Sequence, residues 1–322
     1  MIGVKMKKFL SLLLVIPLTL LSFVPNSLAL ESPKVVGYIG QIDTYSPPEA
    51  ALDDILENTG KYNYMIFGFW DFDKDENKYK GTGAAEEWEK GTFGDTRKAV
   101  ERFHQQGIKV LISAGGEYAQ PLPDEDPFEY GYELAKYAKK YNFDGVDFDI
   151  ENFPNGSPDL TSEWLAIATR EVKWEYPEAI ISHAPQAPYF SPAQSFGYLE
   201  VNEKVGDLID FYNIQYYNQG SSTPYDTFEQ LFIYSGWNQP ETSVIEINYN
   251  GVPLDKIVIG KPVTKSDVNN TGYVDPDKLG SFIGDAISNG IEPGGVMGWQ
   301  WLSDKNSGGD WSNIVSEPFD TK

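Results

Sequence analysis

Asp144-Gly145-Val146-Asp147-Phe148-Asp149-Ile150-Glu151 alternates acidic and apolar residues. At a period of two, Asp147, Asp149 and Glu151 share one face of an extended strand, and Val146, Phe148 and Ile150 take the other. Burying one unpaired carboxylate is costly, and three neighbouring like charges raise one another's pKa, so the pattern persists only for a reason. An edge strand with a solvated acidic face is the bland alternative. The context speaks against it, because the helical pattern ending near Tyr141 leads through Asn142 and Phe143 straight into the strand, as in a central parallel strand of a βαβ series. A divalent metal site is a third possibility. Asp71 is the only other acid closing a comparable run and no histidine does, which is thin for an octahedral shell.

Working outward, seven further β-branched and aromatic runs join this one: Val35–Gly40, Tyr64–Phe69, Lys109–Ala114, Ile180–Ala184, Phe211–Tyr217, Ile257–Lys261 and Gly295–Trp301. Amphipathic stretches such as Arg97–Gln106, Tyr130–Tyr141 and Leu160–Tyr176 lie between most of them. Eight repeats of strand then helix predict an α/β fold, a (β/α)₈ TIM barrel in one domain. No linker, low-complexity tract or internal repeat divides the chain. Function in such a barrel sits at the carboxyl ends of the strands. Several runs end in polar or aromatic residues, including Phe69-Trp70-Asp71, Ala184-Pro185-Gln186, Gln215-Tyr216-Tyr217-Asn218 and Trp299-Gln300-Trp301.

The N-terminus carries Lys5, Lys7 and Lys8, an apolar run from Phe9 to Val24 interrupted by Pro17, and the small-x-small sequence Ser27-Leu28-Ala29. That pattern predicts a signal peptide over residues 1–29, a catalytic barrel over 30–322 and secretion to the extracellular space. The chain has no cysteine, so thiol and zinc-thiolate catalysis are excluded and a secreted barrel must rely on its core. Formal charge is −23, and loss of three leader lysines with no acid takes it to −26. Such a surface repels nucleic acid and anionic membranes, whereas a neutral polysaccharide meets no electrostatic barrier. Acidity that merely keeps an exported protein soluble is equally compatible.

The opening octapeptide matches the D-G-x-D-x-D-x-E signature of family 18 glycoside hydrolases at every fixed position. Ser113-Ala114-Gly115-Gly116 resembles that family's S-x-G-G on the third strand, Gln215-Tyr216-Tyr217-Asn218 its Q-x-Y-N on the sixth, and Gly295–Trp299 its eighth. Tyr38-Ile39-Gly40-Gln41 and Ala184-Pro185-Gln186 are similar to the first and fifth strands of the plant-type, hevamine-like chitinases. The resemblance runs from about Lys34 to Trp301.

It implies that Glu151 protonates the glycosidic oxygen, that Asp149 orients the substrate's acetamido N–H, and that Asp147 holds a proton shared with Asp149. Tyr217 would hydrogen-bond the acetamido carbonyl, and Trp299 would floor the sugar being cleaved. Tyr38, Gln41, Phe69, Gln186, Gln215 and Asn218 are expected to contact substrate. The acetamido oxygen, instead of an enzyme carboxylate, is then the nucleophile. No cofactor or metal is expected, and the protein should act as a monomer on chitin or chito-oligosaccharides. Residues from Val263 to Gly294 suffice only for a loop and a helix, so the extra α+β domain of some relatives is expected to be absent and the groove open. The polar segment Asp73–Gly91 reads as a long loop able to rim that groove, and its charge fits a solvated loop equally well. His183 could line the site, although a structural role fits it better, and His104 is assigned nothing. An endo-β-N-acetylglucosaminidase acting on N-glycans and a catalytically silent sugar-binding protein are the competing functions.

Overall fold

The computed structural model of the protein describes residues 33–43, 50–153, 157–194 and 196–320. The leader over 1–29 lies outside them. Among the described residues nine strands form in chain order: β1 (Lys34–Ile39), β2 (Tyr64–Asp73), β3 (Lys78–Gly81), β4 (Lys109–Gly116), β5 (Gly145–Ile150), β6 (Ile180–His183), β7 (Phe211–Gln215), β8 (Ile257–Pro262) and β9 (Gly295–Trp299). All except β3 pair in parallel in the order β1-β9-β8-β7-β6-β5-β4-β2, and a further β1–β2 pairing closes the cylinder. Eight parallel strands, no free barrel edge and surrounding helices make this the expected (β/α)₈ barrel.

Strand alternation sorts the side chains into two layers. Val36, Ile66, Leu111, Phe211, Val258 and Met297 pack inside the barrel. Residues one step along, such as Val35, Met65, Phe67, Val110, Ile112, Val146, Phe148 and Ile257, pack outward against the helices. Phe67 there meets Trp88, Phe93, Phe103 and Phe143 with ring centroids 5.2 to 6.3 Å apart. Each such buried apolar side chain stabilises the fold by roughly 1.5–3 kcal/mol, so a few of them offset the cost of carrying buried acids.

The amino ends of the strands are tied by one repeated device. The residue just before a strand accepts a hydrogen bond from the first amides of its neighbour: Asn63 Oδ1 from Val35 N at 2.8 Å, Asp144 Oδ2 from Val110 N at 2.8 Å, Asp210 Oδ2 from Ile181 N at 2.7 Å. His104 joins this end of the barrel, with Nε2 2.8 Å from Asp144 Oδ2.

The segment Asp73–Gly91 departs from the expected loop. β3 folds back antiparallel on β2, and a helix over Gly83–Lys90 follows. The cause is tertiary: Tyr79 stacks on Trp70 with centroids 4.8 Å apart and planes 7° from parallel, a contact that no local periodicity announces. Between β8 and β9 lie only a short 3₁₀ turn (Lys265–Asp267) and a helix (Pro276–Ser288), so no additional domain is inserted there.

Candidate functional site

Register decides the surroundings of the acidic strand. Asp147 lies level with Ser113 on β4 and Ser182 on β6, so both neighbouring side chains point into the barrel at its height. Its Oδ2 accepts from Ser113 Oγ at 2.7 Å and from the Tyr38 hydroxyl at 2.8 Å. Its Oδ1 accepts from Ser182 Oγ at 2.6 Å and Asn213 Nδ2 at 3.4 Å. Burial pushes the Asp147 carboxyl up to about 6, and these donors hold it from going further.

One step higher, Asp149 is also buried and accepts from Gln215 Nε2 at 3.0 Å. Burial raises its pKa well above the carboxylate range, and the charges of Glu151 and Asp147 add to the rise. Asp147, by contrast, is engaged by four protein donors. Close approach of β4 makes room for this arrangement. Gly115 has φ +112°, and a Cβ there would overlap the Asp149 carbonyl oxygen.

Glu151 stands just past the end of β5, half-buried at the base of the groove. Its Oε1 lies 3.3 Å from Gln215 Nε2 and its Oε2 3.2 Å from Gln186 Nε2, while Tyr189 donates to its backbone carbonyl at 2.7 Å. Burial again raises its pKa, with Gln215 and Gln186 opposing and Glu117 adding a like charge. A carboxyl so perturbed, at a strand end in a groove, suits a general acid.

The groove is a cavity of about 630 Å³, lined among others by Phe69, Tyr118, Gln186, Tyr217, Asn218 and Trp299. Tyr217 is 6% exposed, and its hydroxyl has no hydrogen-bond partner among the described residues. Trp299 closes one side, tilted against Phe69 and Tyr38 at 6.1 Å. Phe69 reaches the groove through a register shift between Gly68 and Trp70. Strict alternation from the inward Ile66 would turn Phe69 toward the helices; the bulge sends Trp70 there instead.

Some expected contacts fall elsewhere. Tyr38 sits a layer below the groove, where its hydroxyl serves Asp147. Gln41 is exposed beyond the end of β1 and is not among the groove-lining residues. Asn218 lines the groove, but its Oδ1 accepts from the amides of Asn269 and Asn270 at 2.8 and 3.3 Å. His183 is fully buried on the helix side, 3.2 Å from Thr169 Oγ1 and beside Phe148, and burial lowers its pKa to about 3. Ser182, Asn213 and Tyr189 were not foreseen. Pairing register would have flagged Ser182, whereas Tyr189 belongs to a 3₁₀ turn over Ala187–Phe190 with no such signal.

Comparison with known proteins adds to this geometry. The family model described as glycosyl hydrolases family 18 matches residues 34–319. A chitinase of Enterococcus faecalis is 26% identical over 196 residues, which is 55% of this chain and 54% of that protein. The chain thus spans about half the length of that relative. An acidic endochitinase of Phaseolus angularis is 26% identical over 314 residues, covering 92% of this chain and 93% of that one. The crystal structure of a GH18 chitinase from Pseudoalteromonas aurantia matches with a TM-score of 0.69 and 26% identity, over 88% of this chain and 99% of that chain.

Proposed function

This chain belongs to glycosyl hydrolase family 18, and on that premise we propose that it is a secreted, endo-acting chitinase that cleaves β-1,4-linked N-acetylglucosamine polymers with retention of configuration. The observation that carries the reading is the placement of the acids. Asp147, Asp149 and Glu151 rise along one strand face, and Asp149 and Glu151 both accept from Gln215 Nε2, at 3.0 and 3.3 Å. A nucleophile must approach the anomeric carbon from the face opposite the leaving group, so a carboxylate on the same strand face as the proton donor, sharing its amide, is poorly placed for the task. Of the other acids lining the groove, Asp267 is engaged by Thr264 and Ser303, Asp73 by Lys80 and Asp71 by Tyr130, and Glu117 lies on the wall as a like charge to Glu151. The substrate's own acetamido oxygen then supplies the nucleophile.

In this mechanism Glu151 gives its proton to the glycosidic oxygen as the acetamido oxygen closes on the anomeric carbon. Asp149 accepts the acetamido N–H, and the unpartnered Tyr217 hydroxyl donates to the acetamido carbonyl. Water then opens the ring so formed, with Glu151 returning as base, so two displacements leave the β-anomer. Trp299 and Phe69 offer aromatic faces to the apolar face of a sugar. Gln186 and Gln215 set the orientation of the donor. With no domain inserted after β8, the groove stays open to a chain threading past both ends, which favours internal cleavage. The leader 1–29 supports export of a catalytic barrel over 30–322 that acts as a monomer without a cofactor.

The test gives the purified protein chitin hexamer, cellulose oligomers, fully deacetylated chitosan and a high-mannose glycoprotein, with product NMR in the first minutes. Chitin hexamer alone should be cut, and β-anomers should appear before mutarotation. An initial α-anomer, or comparable cleavage of deacetylated polymer, would overturn the mechanism; preferential glycan release would overturn the substrate.

A further inference from the structure

Lys261, near the end of β8, points away from the barrel axis into a space where it is completely buried. Among the described residues its ammonium meets no carboxylate within hydrogen-bonding distance. All three of its N–H donors instead go to backbone carbonyls from three separate stretches of chain: Tyr216 O at 2.8 Å, Tyr225 O at 2.7 Å and Gly272 O at 3.1 Å. Desolvating an ammonium is expensive, and burial draws its pKa down to about 7. A methionine would fill the same space without desolvating a charge but would leave the three carbonyls without this donor, so the role of the ammonium lies in what those carbonyls hold in place.

Two of the three carbonyls flank Tyr217. Tyr216 precedes it in the chain. Gly272 packs directly on it: at φ +110°, a Cβ at position 272 would stand 2.5 Å from the Tyr217 Cβ and overlap its Cα. Above this point the same two loops are laced together, Asn218 N to Thr271 O at 2.7 Å, Gly220 N to Asn270 Oδ1 at 3.0 Å and Thr271 Oγ1 to Gly220 O at 3.1 Å. The lacing fixes the outer ends of the clamp on Tyr217. At its base Tyr216 N donates to Gly260 O of β8 at 3.1 Å, and Lys261 adds a side-chain bridge from the same strand to both the Tyr216 and the Gly272 carbonyls.

We infer that Lys261 is a positioning residue for catalysis, which holds the Tyr216 and Gly272 backbones so that the Tyr217 hydroxyl stands where the acetamido carbonyl of the substrate must be oriented. It touches no substrate and acts through Tyr217. The inference rests on the acetamido-assisted reading above. Its energetic logic is that of a near-attack geometry, in which a displacement on the order of 1 Å costs up to about a hundredfold in rate.

The test is a double-mutant cycle on chitin hexamer with K261M, Y217F and the pair, read as kcat and KM separately. Y217F should lower kcat with little change in KM. K261M should lower kcat about tenfold or more and shift KM by less than about threefold, whereas in the Y217F background it should cost under about twofold, because the group it positions is already gone. A merely structural role would give equal losses in both backgrounds, and that additive result overturns the inference while leaving the Tyr217 reading intact. Wild-type kcat in Y217F overturns the reading and the inference with it. If K261M does not accumulate as folded protein, K261Q keeps two N–H donors in a similar volume and is read in the same cycle. Failure of both to fold would mark Lys261 as structural only.

Discussion

Replacing Glu151 by Gln removes one proton and almost nothing else, so the effects on rate and binding separate cleanly. General acid catalysis contributes roughly 10²–10⁴-fold to rate, or about 3–5.5 kcal/mol of barrier. Binding should suffer far less. The two carboxylate oxygens of Glu151 face the amides Gln215 Nε2 and Gln186 Nε2 at 3.3 and 3.2 Å. A glutamine keeps an acceptor for one of them, and its own amide can turn toward Asp149, so the loss is about one hydrogen bond, roughly 0.5–1.5 kcal/mol. E151Q should therefore bind chito-oligosaccharides within about tenfold of wild type while its kcat falls a hundredfold or more.

The same variant distinguishes a proton donor from a residue that is merely important. An aryl chitobioside has a leaving group far more acidic than a sugar hydroxyl and needs little protonation as it departs. E151Q should lose at least about tenfold less activity on that substrate than on chitin tetramer. The assay is paired fluorescence and chromatographic rates, with thermal melting to show that the variant is folded. Equal losses on both substrates would refute the assignment of Glu151 as leaving-group acid, and so would wild-type-like turnover of the tetramer.

Three further outcomes are expected. Asp147 carries a folded pKa of about 6 against an ordinary 3.8, so the folded state binds its proton more tightly; the stability it contributes is full below about pH 4 and is lost as pH rises through about 6. D147N should therefore gain up to about 3 kcal/mol relative to wild type between pH 4 and pH 7 in denaturant titrations, and a difference independent of pH would refute this. Trp299→Ala removes the aromatic wall beside Phe69 and Tyr38 and should raise KM on chitin hexamer roughly tenfold, a loss of about 1.4 kcal/mol of ring-face contact; unchanged KM would exclude Trp299 as a sugar platform. Soluble chitin oligomers should first give mixed mid-length products on chromatography, and exclusive early release of dimers from one end would contradict an open groove.

The barrel was legible because strand period and strand–helix alternation are backbone properties that each segment carries on its own. Asp147, Asp149 and Glu151 could be put on one face for the same reason. Depth along that face was not legible. Tyr38 was expected at the substrate because it lies near the end of a run, yet its long side chain stops a layer below, where its hydroxyl reaches Asp147. Gln41 fails for the opposite reason, since it lies past the strand end where no pairing fixes its direction. Phe69 lines the groove only because a bulge breaks the alternation, and bulges leave no periodic trace. The hairpin strand β3 depends on Tyr79 finding Trp70, a contact its own sequence cannot announce.

What the sequence hid follows from which partners are distant. Ser113, Ser182, Asn213 and Tyr38 come from four different strands, and only the register of a closed barrel brings them to one carboxylate. Those donors explain how Asp147 is tolerated in full burial: each hydrogen bond to a charged group offsets about 1.5–3 kcal/mol of desolvation. Asp149 and Glu151 have fewer donors, while burial leaves the pKa values of all three acids raised. The gradient is functional in direction. Satisfaction is greatest at the base, where a fixed carboxylate anchors four strands, and least at the groove, where a proton must be kept available for transfer. A donor added near Glu151 would stabilise the fold and, by lowering the acid's pKa, slow the step it serves.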